Sequence, residues 1–330
     1  MKTYFITGGA GFIGANFIIY MFKKYKGIRI INYDKLTYVS DIKNLKCIEN
    51  NNNYIFIKGD ICDKKKLFQV FQNYSIDYVI NFAAESSVIR SIEDPEEFIK
   101  TNIQGTFNLL SVFKKYWEEE AGGKDKIKYL QISKDEVYGS LGRDGYFTES
   151  SYISPTSPYS ASKTSADMIV KSYYDTYGLP INITRCSNNY GPFQHIENFI
   201  PMTIFNCIKG LKVPIYGDGL NVRDWIYVED HLRAIDMVLE KGECGHVYNV
   251  GCHNEKSNID VVMSIIKLLN EYGRYNIKDN VIYYIKDRLG HDKRYAIDPS
   301  KLYNLGWRPY ISFEEGLKNT VIWYIKKFSN

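Results

Sequence analysis

One nine-residue stretch, ITGGAGFIG at positions 6–14, narrows the folds open to this chain more than any other. It follows the apolar run 2–7 and opens a helix-like stretch, 12–25, with glycines at 8, 11 and 14. Without Cβ atoms the backbone can turn tightly and approach a pyrophosphate. The free N–H groups at the helix start, with the dipole behind them, favour an anion there. A glycine pattern alone is weak, but strand, glycine turn and helix in this order form the first unit of a dinucleotide-binding fold. Asp34 stands twenty residues past Gly14, at the end of the second strand-like run. A carboxylate there accepts from ribose hydroxyls and repels a 2′-phosphate, so NAD rather than NADP is the expected cofactor. Lys35 beside it weakens that discrimination. Asp60, ending the third strand, is either an adenine contact or an ordinary turn residue.

The first half repeats the alternation. Strand-like runs at 28–34, 54–60, 77–84 and 126–133 are short, β-branched or aromatic, and bounded by polar residues. Helix-like stretches at 64–74, 95–117 and 159–177 carry apolar residues at threes and fours. The expected fold class is α/β: a doubly wound parallel sheet of Rossmann type, with a smaller α/β substrate-binding lobe. From about residue 189 the elements shorten, and loops rich in Gly, Asn, Pro and charge appear. Amphipathic helices are expected at 258–272 and 314–328. The expected division is 1–188 for the dinucleotide-binding domain and 189–330 for the second lobe. The boundary is not clean, and some exchange of chain between lobes is expected.

A length of 330 residues allows two domains, and a net charge of +4 is small for a nucleic-acid binder working through a broad basic face. The cysteines, at 47, 62, 186, 207, 244 and 252, show no CxxC spacing. Cys244, His246, Cys252 and His253 in CGHVYNVGCH match no common zinc spacing. That segment reads as a buried strand with Val247 and Tyr248 on opposite faces, and no metal is expected. The N-terminal residues run into a strand without a signal-peptide core, and no apolar run reaches the ~18 residues of a membrane span. A cytoplasmic protein with reduced thiols and no membrane partner is expected.

Two segments carry chemistry. YSASK places Tyr159 and Lys163 four apart, on one face of a helix. A nearby ammonium stabilises a phenolate and lowers a tyrosine pKa, so the phenol can act as a base. In ISKDEVYG, at 132–139, the fifth strand runs out into Ser133, Lys134, Asp135 and Glu136. Acid and base duties split between two carboxyl groups need pKa values pushed apart. Neighbours on a strand point to opposite faces. Asp135 and Glu136 therefore converge only if the chain bends, and the strand should end at or just before Lys134. A solvated strand end is the plainer reading of these charges taken alone.

Together, TGGAGFIG, NFAAES, SKDEVYG, SPYSASK, RCSNNYGP, YGDGLNVRDW and DRLGHDKRYAID resemble the extended short-chain dehydrogenase/reductases. Within that superfamily the chain is most similar to the nucleotide-sugar 4,6-dehydratases, from Lys2 to about Trp323. The resemblance implies an NAD-dependent hydro-lyase acting on a nucleoside-diphosphate hexose to give a 4-keto-6-deoxy sugar. The substrate it implies first is dTDP-glucose, with UDP- or GDP-linked glucose or N-acetylglucosamine as alternatives. It implies that Tyr159, with Lys163, takes the proton of the 4-hydroxyl, that Glu136 removes the hydrogen on carbon 5, and that Asp135 protonates the departing 6-hydroxyl. It assigns Gly8, Gly11, Phe12, Ile13, Gly14, Asp34, Lys35, Asp60, Ile61, Ala83, Ala84, Ser86, Asn102, Ser133, Tyr159 and Lys163 to the cofactor. It assigns Ser87, Asn188, Glu197, Asn198, Tyr216, Arg223, Asn258, Arg288 and His291 to the nucleotide sugar. The guanidinium forks of Arg223 and Arg288 suit phosphate oxygens, and Tyr216 is implied near the base. An ion pair with Asp224 is the plainer reading of Arg223. A homodimer through helices 95–117 and 159–177 is also implied.

Four positions depart from the family pattern. Threonine is usual where this chain has Lys134, histidine and aspartate where it has Ser87 and Ile89, and lysine often where it has Asn198. Lys134 could donate to the 4-oxygen, pair with Asp135 or Glu136, mark altered chemistry or another sugar, or be an introduced substitution. Ser87 and Ile89 imply a less polar hexose pocket, and Asn198 removes a cation. Two rival readings stay open. An epimerase of the same fold needs no Asp–Glu pair and releases no water. A non-catalytic NAD-binding protein would follow if Lys134 disables the site.

Overall fold

In the computed structural model, which describes residues 1–119, 122 and 127–329, the strand-like runs pair into one parallel sheet covered by helices on both faces. The strands are β1 (Lys2–Thr7), β2 (Ile28–Asp34), β3 (Tyr54–Lys58), β4 (Tyr78–Asn81), β5 (Lys128–Lys134), β6 (Ile181–Cys186), β7 (Asn188–Tyr190), β8 (Val213–Tyr216), β9 (Val222–Tyr227), β10 (Val247–Val250), β11 (Glu255–Ser257) and β12 (Ile282–Ile285). The large sheet has seven strands in the order β10-β6-β5-β4-β1-β2-β3. The order reverses between β1 and β4, so the loops leaving those strands part and open a crevice at their carboxyl ends.

The helices are α1 (Phe12–Lys24), α2 (Lys64–Asn73), α3 (Val88–Glu93), α4 (Thr106–Glu119), α5 (Pro158–Tyr177), α6 (Phe199–Ile208), α7 (Val228–Lys241), α8 (Asn258–Tyr272), α9 (Ser300–Asn304) and α10 (Phe313–Ser329). Alternation along each strand decides which layer a residue meets. Tyr4 and Ile6 of β1 pack with Phe17 and Met21 of α1 and Ile235 of α7. Phe5 between them packs with Phe71 of α2, Phe113 of α4 and Val170 of α5. A second core gathers Ile204 of α6, Trp225 of β9, Val262 and Ile265 of α8, and Leu317 of α10. It serves the two small sheets, β11-β9-β7 and β12-β8. The chain crosses between these cores more than once: α7 and β10 come from the second half, yet β10 pairs with β6 at the edge of the large sheet.

Several elements end where their side chains are needed elsewhere. The run 54–60 pairs only to Lys58, because Gly59 and Asp60 turn away into the crevice. The run 77–84 pairs only over Tyr78–Asn81. The strand read over 126–133 occupies Lys128–Lys134, and Lys126 lies outside the described residues. The helix read over 95–117 is a short turn, Glu96–Phe98, then a π segment, Ile99–Gly105, then α4. Val247 and Tyr248 face opposite layers of the sheet, as alternation requires. His246 lies 3.3 Å from the Glu243 carboxylate, and His253 packs edge-on to Tyr146. Among the described residues, no group of three His, Cys, Asp or Glu could hold a metal, and no helix is long and apolar enough to cross a membrane.

Candidate active site

The glycine turn works through close approach. Gly8 has a φ of +68°, and a Cβ there would lie 2.6 Å from the Ala83 nitrogen, so the loops after β1 and β4 meet only because this residue is glycine. A Cβ on Gly14 would lie 2.4 Å from the Gly8 carbonyl oxygen, which seats α1 directly on the turn. No side chain caps α1 at Gly11. Its first N–H groups therefore stay available to a ligand, and residues 11–14 line a cavity of about 330 Å³.

The same cavity is lined by Gly8, Asp34, Lys35, Asp60, Ile61, Ala83, Ala84, Ser86, Ser133, Lys134, Glu136, Tyr159, Lys163, Asn188 and Asn198. Asp34 is buried, and its two oxygens accept from the Ala10 and Leu36 N–H groups at 2.8 and 2.7 Å. Burial pushes its carboxyl above the ordinary range, and those two donors oppose the shift. Lys35 pairs with Asp60 at 2.9 Å, so its charge is matched. The other Asp60 oxygen accepts from the Cys62 N–H at 2.8 Å, which makes Asp60 a turn residue as well as part of the wall. Asn102 is not in the wall. Its buried amide holds the Glu85 backbone N–H and C=O at 2.8 and 2.9 Å and Ser162 Oγ at 2.8 Å, fixing the loop after β4 to α5.

At the far end, β5 stops at Lys134 and a 3₁₀ turn, Asp135–Tyr138, begins, so the bend falls at the expected place. The turn sends Glu136 into the cavity and leaves Asp135 fully buried behind it. Lys134 Nζ lies 3.2 Å from Asp135 Oδ1 and donates to Asn188 Oδ1 at 2.9 Å. Of the readings open for Lys134, the geometry shows pairing, and with Asp135 rather than Glu136. Burial raises both carboxyl pKa values against the pull of the Lys134 ammonium. Burial also works against that ammonium, but Asp135, then Cys186 and Glu136, hold it above its ordinary value.

Helix α5 begins at a capping box between Ser157 and Ser160, with Pro158 in its first turn, and this fixes Tyr159. The expected lowering of the Tyr159 pKa by Lys163 is not what the structure shows. Burial first, then the charge of Glu136, push the phenol well above its usual value. Lys163 donates instead to the Ile132 carbonyl at 2.8 Å, and burial lowers its own pKa. Ser133, in the cavity wall, has a buried Oγ with no hydrogen-bond partner among the described residues.

The residues assigned to the nucleotide sugar are not all in this cavity. Asn188 and Asn198 line it, whereas Ser87, Glu197, Tyr216, Arg223, Asn258, Arg288 and His291 do not. Ser87 caps α3, accepting from the Arg90 N–H at 3.4 Å. Ile89 is 46% exposed. Neither is among the residues that line this cavity. Asn258 opens α8, its N–H bonded to the Asn221 carbonyl. Glu197 lies 3.9 Å from His195 Nδ1. Arg223 makes no ion pair with Asp224. It donates to the carbonyls of Val222 and Asp292 at 2.7 and 2.8 Å and lies 4.3 Å over the Tyr295 ring. Asp224 instead accepts from the Cys252 and Asn254 N–H groups. Arg288 keeps a buried Nη1 without a hydrogen-bond partner among the described residues, and His291 Nδ1 lies 2.5 Å from Asp287 with its ring edge-on to Tyr216. Both guanidinium groups act on Glu136, drawing its pKa down against burial.

Thr37, Val39, Ser40, Glu85, Asn189, Gln194 and His195 also line the cavity, although nothing in their own types marked them. Those after β2 and β4 follow from position alone, since ligand loops gather at the carboxyl ends of strands near the reversal.

The family described as GDP-mannose 4,6 dehydratase matches residues 5–320, nearly the whole chain. The chain belongs to the GDP-mannose 4,6-dehydratase family. A dTDP-glucose 4,6-dehydratase of Xanthomonas campestris is 47% identical over 330 residues, covering 98% of this chain and 93% of its own. The dTDP-glucose 4,6-dehydratase of Bacillus anthracis, solved with NAD, superposes with a TM-score of 0.89 at 47% identity, over 100% of this chain and 98% of that one. The Streptomyces venezuelae enzyme of the same name, also solved with NAD, superposes with a TM-score of 0.91 at 38% identity, over 99% and 98%. The short-chain dehydrogenase/reductase resemblance and the doubly wound α/β fold expected from the sequence both stand within this 4,6-dehydratase family.

Proposed function

We propose that this chain is an NAD-dependent dTDP-glucose 4,6-dehydratase, converting its substrate to dTDP-4-keto-6-deoxyglucose with release of one water. The observation that carries the reading is the presence of Glu136 in one cavity with the Tyr159–Lys163 pair and the glycine turn. An epimerase has no use for a carboxylate base there.

The residues fit NAD. Gly8 leaves no room for a side chain, the start of α1 carries no side-chain cap, Asp34 closes the β2 end, and Ser133 stands in the wall with its hydroxyl unpaired among the described residues. Gly8, Gly11 and Gly14 would admit the pyrophosphate, and Asp34 would accept from the ribose and turn away a 2′-phosphate. Bound NAD supplies a reversible hydride acceptor, restored at the end of each turnover. Tyr159 takes the proton of the hexose 4-hydroxyl, with Ser133 beside it in the wall. Once carbon 4 is a ketone, the hydrogen on carbon 5 is acidic, and Glu136 removes it. The carboxyl–ammonium pair of Asp135 and Lys134 supplies the proton that leaves with the 6-hydroxyl. Arg288, whose Nη1 has no partner, and Arg223 hold the diphosphate, Tyr216 meets the base, and Asn188, Glu197 and Asn198 line the path between. Two copies pair through α4 and α5 into a homodimer.

Mass spectrometry of the protein incubated with dTDP-glucose, UDP-glucose, UDP-N-acetylglucosamine and GDP-N-acetylglucosamine tests this. The expected result is loss of one water, fastest from dTDP-glucose. A product of unchanged mass would point to epimerisation, and no product from any of the four would refute the enzyme.

A further inference from the structure

We propose that Lys134 is the proton donor of the elimination, with Asp135 as its buried counter-ion. This assignment rests on the dehydratase reading and gives one of its steps to a residue. Three neighbours in the chain divide unequally: Lys134 and Glu136 line the cavity, while Asp135 between them is fully buried and does not. Among the described residues, neither Asp135 oxygen has a well-aligned hydrogen bond, and the ammonium 3.2 Å away is its ion-pair partner. A buried carboxylate in that position has that ammonium to compensate its charge. An ammonium has three donors. One is given to Asn188, and the Asp135 carboxylate 3.2 Å away balances the charge, which leaves a donor for whatever occupies the cavity. The pair therefore holds one transferable proton, and the member of the pair that meets the cavity is the lysine.

The step balances. The C5–H bond breaks, its proton goes to Glu136, and its electron pair forms the C5=C6 double bond. The C6–O6 bond breaks with its electron pair leaving on O6. An N–H bond of Lys134 breaks, the proton forms a new O6–H bond, and water departs. Glu136 gains the proton that Lys134 loses, so the protein keeps its proton count, and both groups re-equilibrate with solvent after release. The charges also favour this order. Glu136 is among the groups that hold the Lys134 proton in place. When Glu136 takes the carbon 5 proton its charge vanishes, and Lys134 becomes the stronger acid at the moment an acid is needed.

Two substitutions separate a proton donor from a structural charge. Lys134→Met removes both charge and proton. Lys134→Arg keeps a cation beside Asp135 but is too weak an acid to give up its proton. With dTDP-glucose in deuterated water, water loss is followed by mass spectrometry, and solvent deuterium at carbon 5 is followed in the recovered substrate. The thermal midpoint of each variant checks its folding. The expected result is that both variants lose water formation by about a hundredfold or more, while both still exchange the carbon 5 hydrogen. If Lys134→Arg or Lys134→Met keeps water formation within about threefold of the parent, the assignment is wrong. Loss of carbon 5 exchange in step with water loss would also overturn it, since Lys134 would then shape the whole site. If the unmodified protein exchanges no carbon 5 hydrogen and loses no water, the dehydratase reading falls first and this assignment with it.

Discussion

In the proposed elimination Glu136 has to be charged to take a proton, yet its place in the cavity works against charge. Burial raises its carboxyl above the ordinary range, while Lys134, Arg288 and Arg223 only partly restore it. In that role its protonated form would be inactive, so activity should rise with pH through its raised pKa. The acid limb of kcat should therefore lie above about 4.3, the usual glutamate value. Glu136→Gln should lose water formation by about a hundredfold or more. A profile of kcat against pH checks both points, and a rate still level down to about pH 4 would contradict the first. The residue types proposed for this chemistry were legible in SKDEVYG and YSASK, and the bend after Lys134 falls where the sequence placed it. The direction of each side chain was not. Asp135 turns inward because the chain enters a 3₁₀ turn rather than another strand step. Lys163 meets the Ile132 carbonyl because the end of β5 lies against α5. Both are facts of packing between segments distant in the chain.

Among the elements, regular periodicity carried well where the backbone was regular. The helix at 258–272 lies where threes and fours placed it, and the first two strands keep their bounds. The stretch 95–117 did not, because a π segment inserts extra chain without disturbing its apolar character. That segment carries Asn102, whose amide reaches back to Glu85, and π segments recur where a helix serves a site. The long helices α4 and α5 lie side by side and leave apolar surface outward. Met168 on α5 is 45% exposed, and Phe107 and Tyr177 are exposed with lysines 5.4 and 4.5 Å over their rings. Static light scattering at micromolar concentration should read a dimer, and Met168→Glu should shift it toward monomer. A monomeric parent protein would remove the proposed interface.

At the scale of the whole molecule, alternation of strand and helix announced the doubly wound sheet, and the glycine turn announced its crevice. The return of α7 and β10 from the second half to the first layer had no local signal. Nor did the placing of Gln194 and His195 in the cavity wall, since they arrive from a loop of the second half. Both halves bear on the cavity: the turn after β5 and the start of α5 bring Glu136 and Tyr159 to its wall, and Arg223 of β9 and Arg288 of the loop after β12 lend their field to Glu136. The central claim is that this one cavity both oxidises carbon 4 and eliminates water across carbons 5 and 6. The direct measurement uses dTDP-glucose carrying deuterium on carbon 4, with the product read by mass spectrometry and proton resonance. The expected product is lighter by one water, with the deuterium on carbon 6 of the same molecule. Deuterium still on carbon 4 of a product of unchanged mass, or washed out to solvent, would contradict it.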